Sequence, residues 1–380
     1  MKHSERVLNI AMFGHKRIPS REGGIEVVVA ELSTRMAALG HNVTCLNRSG
    51  HHVSGHEFDE AKLTEYKGVK LKNVWTLDKK GLAAMSASVS AAFRTAFGKY
   101  DVVHIHAEGP AFMCWLPKLF GKRVVVTIHG LDWARAKWGK FASWYIRKGE
   151  KNAARHADEV IVLSKGVQEY FMKTYGRKTA FIPNGVNRPV NREADEIVKR
   201  WGLEKDGYVL FLGRLVPEKG IHYLLEAWKS VSTTKKLVIA GGSSDTTEYM
   251  TKLREMAGEN VVFTGFQQGI VLEELYSNAY VYVLPSDLEG MPLSLLEAMS
   301  YGNCCLVSDI EECTQVVEDH AAVFRKGNVG ELREKLQELV DRPGEVKKYK
   351  DAAADYICAR YSWDDVTERT LELYRKQDRK

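Results

Sequence analysis

Tyr208-Val-Leu-Phe-Leu-Gly213-Arg214-Leu-Val-Pro-Glu-Lys219-Gly220 is the stretch that fixes the architecture of this chain. An unbroken apolar run ending at a glycine reads as a strand buried on both faces. Beyond the loop, Ile221, Leu224, Leu225, Trp228 and Val231 recur at helical spacing. Strand, loop and helix in this order make half of a βαβ unit, and such sheets bind ligands where their strands end. Two cations, Arg214 and Lys219, stand in that loop, before a helix start whose N–H groups and dipole favour an anion. An Arg fork and a Lys point charge together suit a pyrophosphate. Ordinary cations on a solvated loop are the other reading.

The same alternation extends both ways. Downstream, strands are expected at Lys236–Ala240, Asn260–Thr264, Tyr280–Leu284, Asn303–Ser308 and Ala321–Phe324, with helices between them. Upstream, Val7–Phe13, Asn42–Leu46, Val69–Leu77, Asp101–His106, Arg123–His129, Glu159–Ser164 and Thr179–Pro183 read as strands. A helix after the first carries Ile25, Val28, Val29, Leu32, Met36 and Leu39 on one face. The polar stretch Asn184–Asp206 reads as a connection between two such arrays. The fold class expected is therefore α/β, with two Rossmann-like domains and a cleft between them: residues 1–187, residues 188–362, and a last helix, Trp363–Arg379.

A second cluster follows the strand at Tyr280–Leu284: Ser286-Asp-Leu-Glu289-Gly290-Met291-Pro292-Leu293-Ser-Leu-Leu-Glu297. Pro292 suits a first helical turn, since its missing N–H costs nothing there. Glu289 then precedes the helix and Glu297 lies within it, at most about 12 Å further along. Each carboxylate offers two acceptor oxygens for vicinal hydroxyls, so the two can reach different parts of one elongated ligand. Helix capping and plain surface charge are the alternative. Gly23-Gly24 before Glu26 lets backbone approach a phosphate, or simply makes a strand-to-helix turn. His129, beside Gly130 at a strand end, is placed for a binding site or for a structural hydrogen bond.

Taken together, Gly23-Gly24-x-Glu26, Pro183-Asn184-Gly185-Val186, Gly213-Arg214-x4-Lys219-Gly220 and the E-x7-E pair Glu289 and Glu297 occur in one order along nearly the whole chain. In this the chain resembles the retaining glycosyltransferases of family four, with the GT-B fold. The run His15-Lys-Arg-Ile-Pro19-x3-Gly23-Gly24 is similar to bacterial enzymes of envelope glycan synthesis, rhamnosyltransferase-like members included. The resemblance implies that Arg214 and Lys219 bind the diphosphate of a nucleotide-sugar donor and Glu297 holds its ribose. It implies that Glu289 and the amides of Gly290, Met291, Pro292 and Leu293 face the sugar. Proline lacks an N–H, so its share there is conformational. His129 would lie near the anomeric centre, and Gly23 and Gly24 would close on the phosphate. The last helix would return to the first domain.

No D-x-D triplet is present, so no metal and no bound cofactor is expected; the nucleotide sugar is a co-substrate. Walker A and G-x-G-x-x-G patterns are absent too, which excludes a P-loop kinase and an ordinary nicotinamide enzyme. A nucleotide-sugar epimerase and a non-catalytic scaffold are the competing functions.

Charge is uneven. Residues 1–187 hold 29 Lys and Arg against 16 Asp and Glu, a formal +13, while the rest of the chain carries −7. The basic half is expected to face an anionic partner, a lipid-diphosphate-linked acceptor or an anionic membrane surface, unless the charge merely solubilises; nucleic acid is not expected. Within Trp133–Arg155, Trp138, Phe141, Trp144 and Tyr145 mix with Arg135, Lys137, Lys140, Arg147, Lys148 and Lys151, a pattern for a membrane interface, an acceptor site or a half-buried helix. No apolar run is long enough for a span, and no signal-peptide core is seen, so a cytoplasmic location is expected, with reduced cysteines. His51, His52 and His56, and the pair His104 and His106, lack further ligands and are read as non-metal.

Overall fold

The computed structural model describes residues 6–49, 63–77, 79, 82–134, 139–242 and 247–376. His51, His52, His56, Arg135, Lys137, Trp138 and Arg379 lie outside them. The chain divides into two compact units, Met1–Asn184 with Trp363–Lys380, and Gly185–Ser362.

The first unit contains β1 (Asn9–Phe13), α1 (Gly24–Ala38), β2 (Asn42–Arg48), β3 (Glu65–Tyr66), β4 (Val69–Val74), α2 (Ala83–Ala96), β5 (Val102–His106), α3 (Trp115–Leu119), β6 (Arg123–Ile128), α4 (Lys140–His156), β7 (Glu159–Val162), α5 (Lys165–Tyr175) and β8 (Ala180–Phe181). Among the described residues its sheet runs β3-β4-β2-β1-β5-β6-β7-β8. All neighbours are parallel except β3 and β4. Apolar side chains of α2, α4 and α5 cover one face, packing with Val103, Val126 and Val160 of the strands.

The second unit contains α6 (Glu196–Trp201), β9 (Tyr208–Leu212), α7 (Ile221–Trp228), β10 (Lys236–Ala240), α8 (Thr247–Met256), β11 (Val261–Gly265), α9 (Gly269–Ser277), β12 (Val281–Leu284), α10 (Leu293–Ser300), β13 (Cys304–Ser308), α11 (Glu311–Val317), β14 (Ala322–Phe324), α12 (Val329–Asp341) and α13 (Pro343–Arg360). Its parallel sheet runs β11-β10-β9-β12-β13-β14. That is the doubly wound order, with the reversal between β9 and β12.

The last helix, α14 (Trp363–Arg375), belongs to the first unit. It buries Trp363, Val366, Leu371 and Tyr374, and the Tyr374 hydroxyl meets His104 Nδ1 at 2.6 Å.

Some boundaries differ from the apolar pattern. Val7 is 52% exposed, and β1 starts two residues later. Leu39 continues the α1 periodicity yet is exposed, because it is the helix C-cap and Gly40 turns the chain at φ 90°. All six cysteines are free thiols; burial pushes those of Cys45, Cys114 and Cys304 up to about 12.

Candidate functional site

The reversal point of the second unit brings two predicted loops together. β9 ends at Leu212, and Gly213, Arg214 and Lys219 fill the turn before α7. β12 ends at Leu284, and residues 285–292 lead into α10. Gly220 has φ 66°, and a Cβ there would fall 2.0 Å from the carbonyl oxygen of Pro285. Only glycine lets these loops pack so closely. Their backbones also pair, Asp287 N–H donating to Glu218 O at 2.9 Å.

Lys219 and Glu289 lie 70 residues apart in sequence, yet Lys219 Nζ donates to Glu289 Oε1 at 2.5 Å. Both side chains are largely shielded, 13% and 6% exposed. The Ser286 hydroxyl donates to the same oxygen at 2.6 Å. Ser286 is itself set by Ser308, whose hydroxyl donates to Ser286 O. A shielded lysine–carboxylate pair is a compact, reconfigurable charge: an incoming anion competes for the ammonium and a hydroxyl for the carboxylate. Tyr223 donates to Asp287 Oδ2 at 3.2 Å on the same rim.

α10 begins after Pro292, which serves as its N-cap and brings no side-chain acceptor. Its first N–H groups are therefore not satisfied by a capping side chain, the condition for anion binding at a helix start. Glu297 sits one turn inside α10, where Tyr276 of α9 donates to its Oε2 at 3.0 Å. Arg214 is half-buried in the β9 turn. The second unit thus gathers Arg214, Lys219, Glu289, Gly290, Met291, Pro292, Leu293 and Glu297 at one sheet edge.

In the first unit the sheet order reverses between β1 and β5. Gly14, at φ 112°, would place a Cβ 2.0 Å from His106 O, so these loops touch just as closely. Gly23 is the extended N-cap of α1 and Gly24 its first residue. A Cβ at Gly23 would meet Glu26 Oε2 at 2.6 Å. The buried Glu26 carboxylate folds back here and accepts Lys16 N–H at 2.8 Å. Gly23 is small first of all to admit Glu26.

His129 follows β6 and is half-buried, its Nε2 3.1 Å from His106 Nδ1. His104 and His106 stack with centroids 4.1 Å apart. His104 Nε2 meets Thr127 Oγ1 at 2.7 Å. Burial holds His104 down at about 3 and His15 at about 4, and His106 well below the usual imidazole range. All three stay neutral near pH 7. Among the described residues no cluster of three or more His, Cys, Asp or Glu is arranged to hold a metal ion. Sequence reading quoted Ser286, Asp287 and His15 within its motifs but gave them no role, and it missed Tyr276. A tyrosine far from a motif gives no signal until topology brings it in.

Comparison with known proteins agrees with this geometry. Residues 193–356 match the model of the glycosyl transferases group 1, and residues 22–188 that of glycosyltransferase family 4. An uncharacterized glycosyltransferase of Methanocaldococcus jannaschii is 25% identical over 400 residues, covering 97% of this chain and 98% of that one. Sucrose-phosphate synthase from Thermosynechococcus elongatus superposes with a TM-score of 0.79 at 20% identity, covering 97% and 98% of the two chains. Anabaena HepE, solved in complex with UDP and glucose, gives 0.79 at 15%, covering 96% and 98%. At such identities the two structures establish the fold, which is GT-B.

Proposed function

Because the chain belongs to the GT-B glycosyltransferases of group 1, we propose that it moves a sugar from a nucleotide-diphosphate donor to a hydroxyl of a glycan or lipid-linked acceptor. The transfer retains anomeric configuration and uses no metal, and its place is bacterial envelope polysaccharide synthesis. One observation carries this reading: the Lys219–Glu289 pair, 2.5 Å apart, at the reversal point of a doubly wound sheet and before a helix start without a side-chain cap.

Arg214 and Lys219 take the diphosphate, Glu297 the ribose, and Glu289 with the Gly290–Leu293 backbone the sugar. Departure of the nucleoside diphosphate builds negative charge on its terminal phosphate. Once donor binding has drawn Lys219 from Glu289, the cations and amides aimed there stabilise the transition state. Glu289, the carboxylate at the sugar, is engaged by Lys219 and Ser286 rather than free to attack, which suits same-face attack with the leaving phosphate oxygen accepting the acceptor's proton. His129 is assigned to the anomeric centre, and the amides of Gly23 and Gly24 to the phosphate, on the family resemblance of their motifs.

Thermal shift with UDP- and GDP-sugars in excess chelator tests the donor assignment. Stabilisation by one of them is expected, since a ligand that binds only the folded state raises Tm. Stabilisation that needs a divalent cation refutes the metal-free reading. Release of an epimerised donor without acceptor would favour an epimerase instead.

The acceptor reading draws on the first unit's surface. Phe97 and Phe120 are 67% and 45% exposed with centroids 4.5 Å apart, and Phe141 stacks on Trp144 at 5.8 Å. Arg147, Lys148, Lys151 and Arg155 share one groove with Trp144. Exposed rings beside cations are the composition of a peripheral contact with anionic lipid. Among the described residues no helix is long and apolar enough to cross a membrane. Flotation with vesicles containing phosphatidylglycerol, against pure phosphatidylcholine, tests it; binding to neither refutes it.

A further inference from the structure

Glu108 leaves β5 at the sheet edge and is wholly buried. Its Oε2 accepts the Asp132 N–H at 2.8 Å. Asp132 N also donates to Gly130 O, closing the turn that follows His129. Behind Glu108 stands Glu150 of α4, likewise wholly buried. α4 is pressed against the Glu108 backbone, since a Cβ on Gly149 would lie 1.9 Å from Glu108 O. Glu150 Oε2 accepts the Trp133 indole N–H at 3.0 Å. Its Oε1 accepts the hydroxyls of Tyr170 and Tyr175 at 2.9 and 2.5 Å.

The two carboxyls therefore grip one loop at neighbouring residues, Asp132 through its backbone and Trp133 through its ring. Among the described residues neither carboxyl has an ion-pair partner; the nearby cation, Arg147, lies 4.2 Å over the Trp133 ring instead. Two ionised carboxylates side by side in a dry interior, with no cation between them, are not a stable arrangement.

We propose that Glu108 and Glu150 share one proton, and that this singly charged pair is the positioning device for the 129–133 loop. The inference rests on the reading that His129 serves the sugar-transfer site. Glu108 holds the proton on Oε1, the buried oxygen that no other group bonds, and turns it toward Glu150, which keeps its oxygens as acceptors for Trp133, Tyr170 and Tyr175. Burial first, then the charges of Asp132 and Glu150, push the Glu108 carboxyl well above the usual range. The other titratable groups on the pair are Tyr170, pushed up to about 12, and Tyr175, also raised; both donate to Glu150 and are neutral near pH 7. Tyr145, one turn before Gly149 in α4, is neutral there too, pushed up to about 12 by burial, and its hydroxyl donates to neither carboxyl. His129 stands at the far end of the gripped loop.

Glu108→Gln is the discriminating variant. Its amide N–H can donate to Glu150 and its carbonyl oxygen can accept from Asp132, reproducing the protonated acid without a titration. Glu108→Ala removes both contacts. For the intact chain, thermal unfolding from acid to alkaline pH is expected to show wild type losing stability relative to Glu108→Gln as pH rises. The sign follows from a raised folded-state pKa: the contribution is complete below the unfolded value and is lost as pH climbs through the folded one. A protonated-carboxyl infrared band present in wild type and missing from Glu108→Gln is expected as well. With a donor and acceptor in hand, Glu108→Gln keeps kcat within ~3-fold of wild type, while Glu108→Ala loses ~10-fold or more in kcat with little change in donor KM.

Parallel pH–stability curves for wild type and Glu108→Gln, or no difference in the infrared band, overturn the shared proton. Glu108→Gln as damaging to kcat as Glu108→Ala overturns it too, because Glu108 would then act ionised. If no nucleotide sugar is turned over by any form, sugar transfer fails as a function, and the stability and infrared arms still decide the pair.

Discussion

The two units solve the same packing problem and load the solution with different polar groups. At each reversal point a left-handed glycine lets one loop touch the carbonyl of the next strand's end, Gly14 at His106 and Gly220 at Pro285, each with a would-be Cβ contact of 2.0 Å. Around Gly220 the second unit sets charged side chains, Lys219 and Glu289, in a shielded pair. Around Gly14 the first unit sets two imidazoles kept neutral by burial, His15 and His106, beside separate charges: Arg48, which donates to Gly14 O at 3.1 Å, and the buried Glu26. Fold geometry thus provides the place, and local burial decides whether charge or neutral polarity occupies it.

The largest effect should come from removing the glycines. Gly14→Ala and Gly220→Ala each force a Cβ into backbone at positive φ, with a loss of at least about 2 kcal/mol. Denaturation followed by a probe in each unit should show the loss confined to the unit mutated; a uniform loss would break the comparison. Next, Lys219→Ala and Glu297→Ala should each lower kcat/KM by ~10²-fold or more with the melting transition retained. His104→Gln, in the neutral cluster, should affect unfolding more than turnover.

Acid comes third. His15, His104 and His106 have depressed folded-state pKa values, so protonating the unfolded chain below about 6.5 withdraws stability, for His15 down to about 4 and for His104 down to about 3, with His106 in the same sense. Glu108, with a raised value, acts in the opposite sense, one group against three. The first unit is therefore expected to unfold at a higher pH than the second, where His222 is only half-buried and modestly lowered. Circular dichroism with unit-specific fluorescence would detect the order, and the reverse order would refute it. The smallest effects are matched controls. Ser164 caps α5 and Asn328 caps α12 by accepting a backbone N–H, so Ser164→Ala and Asn328→Ala should each cost about 1 kcal/mol.

The strands were legible because parallel strands covered on both faces are near-continuous apolar runs, as Tyr208–Leu212 and, after the entering Lys236, Leu237–Ala240 illustrate. The antiparallel β3, Glu65–Tyr66, carries no apolar run and left no trace. At the candidate site, Arg214, Lys219, Glu289 and Glu297 were readable as charges in loops after strands. Their direct pairing was not, since the contact between Lys219 and Glu289 depends on which strands are neighbours. Glu108 and Glu150 belong to no motif and drew no reading. Only the packing of α4 at Gly149 turns them inward together. His104 and His106, two apart on a strand, had to share a face. Their neutrality came from depth, a property no spacing encodes.

The placement of α14 has a consequence for how the molecule is made. The first unit includes both the earliest described residues and the last helix, while the second unit lies between them. Residues 185–362 form one continuous stretch and can condense without α14. The imidazole of His104 must wait for Tyr374, 270 positions later, before its hydrogen bond closes. The first unit is thus closed by a segment that lies beyond the whole of the second along the chain.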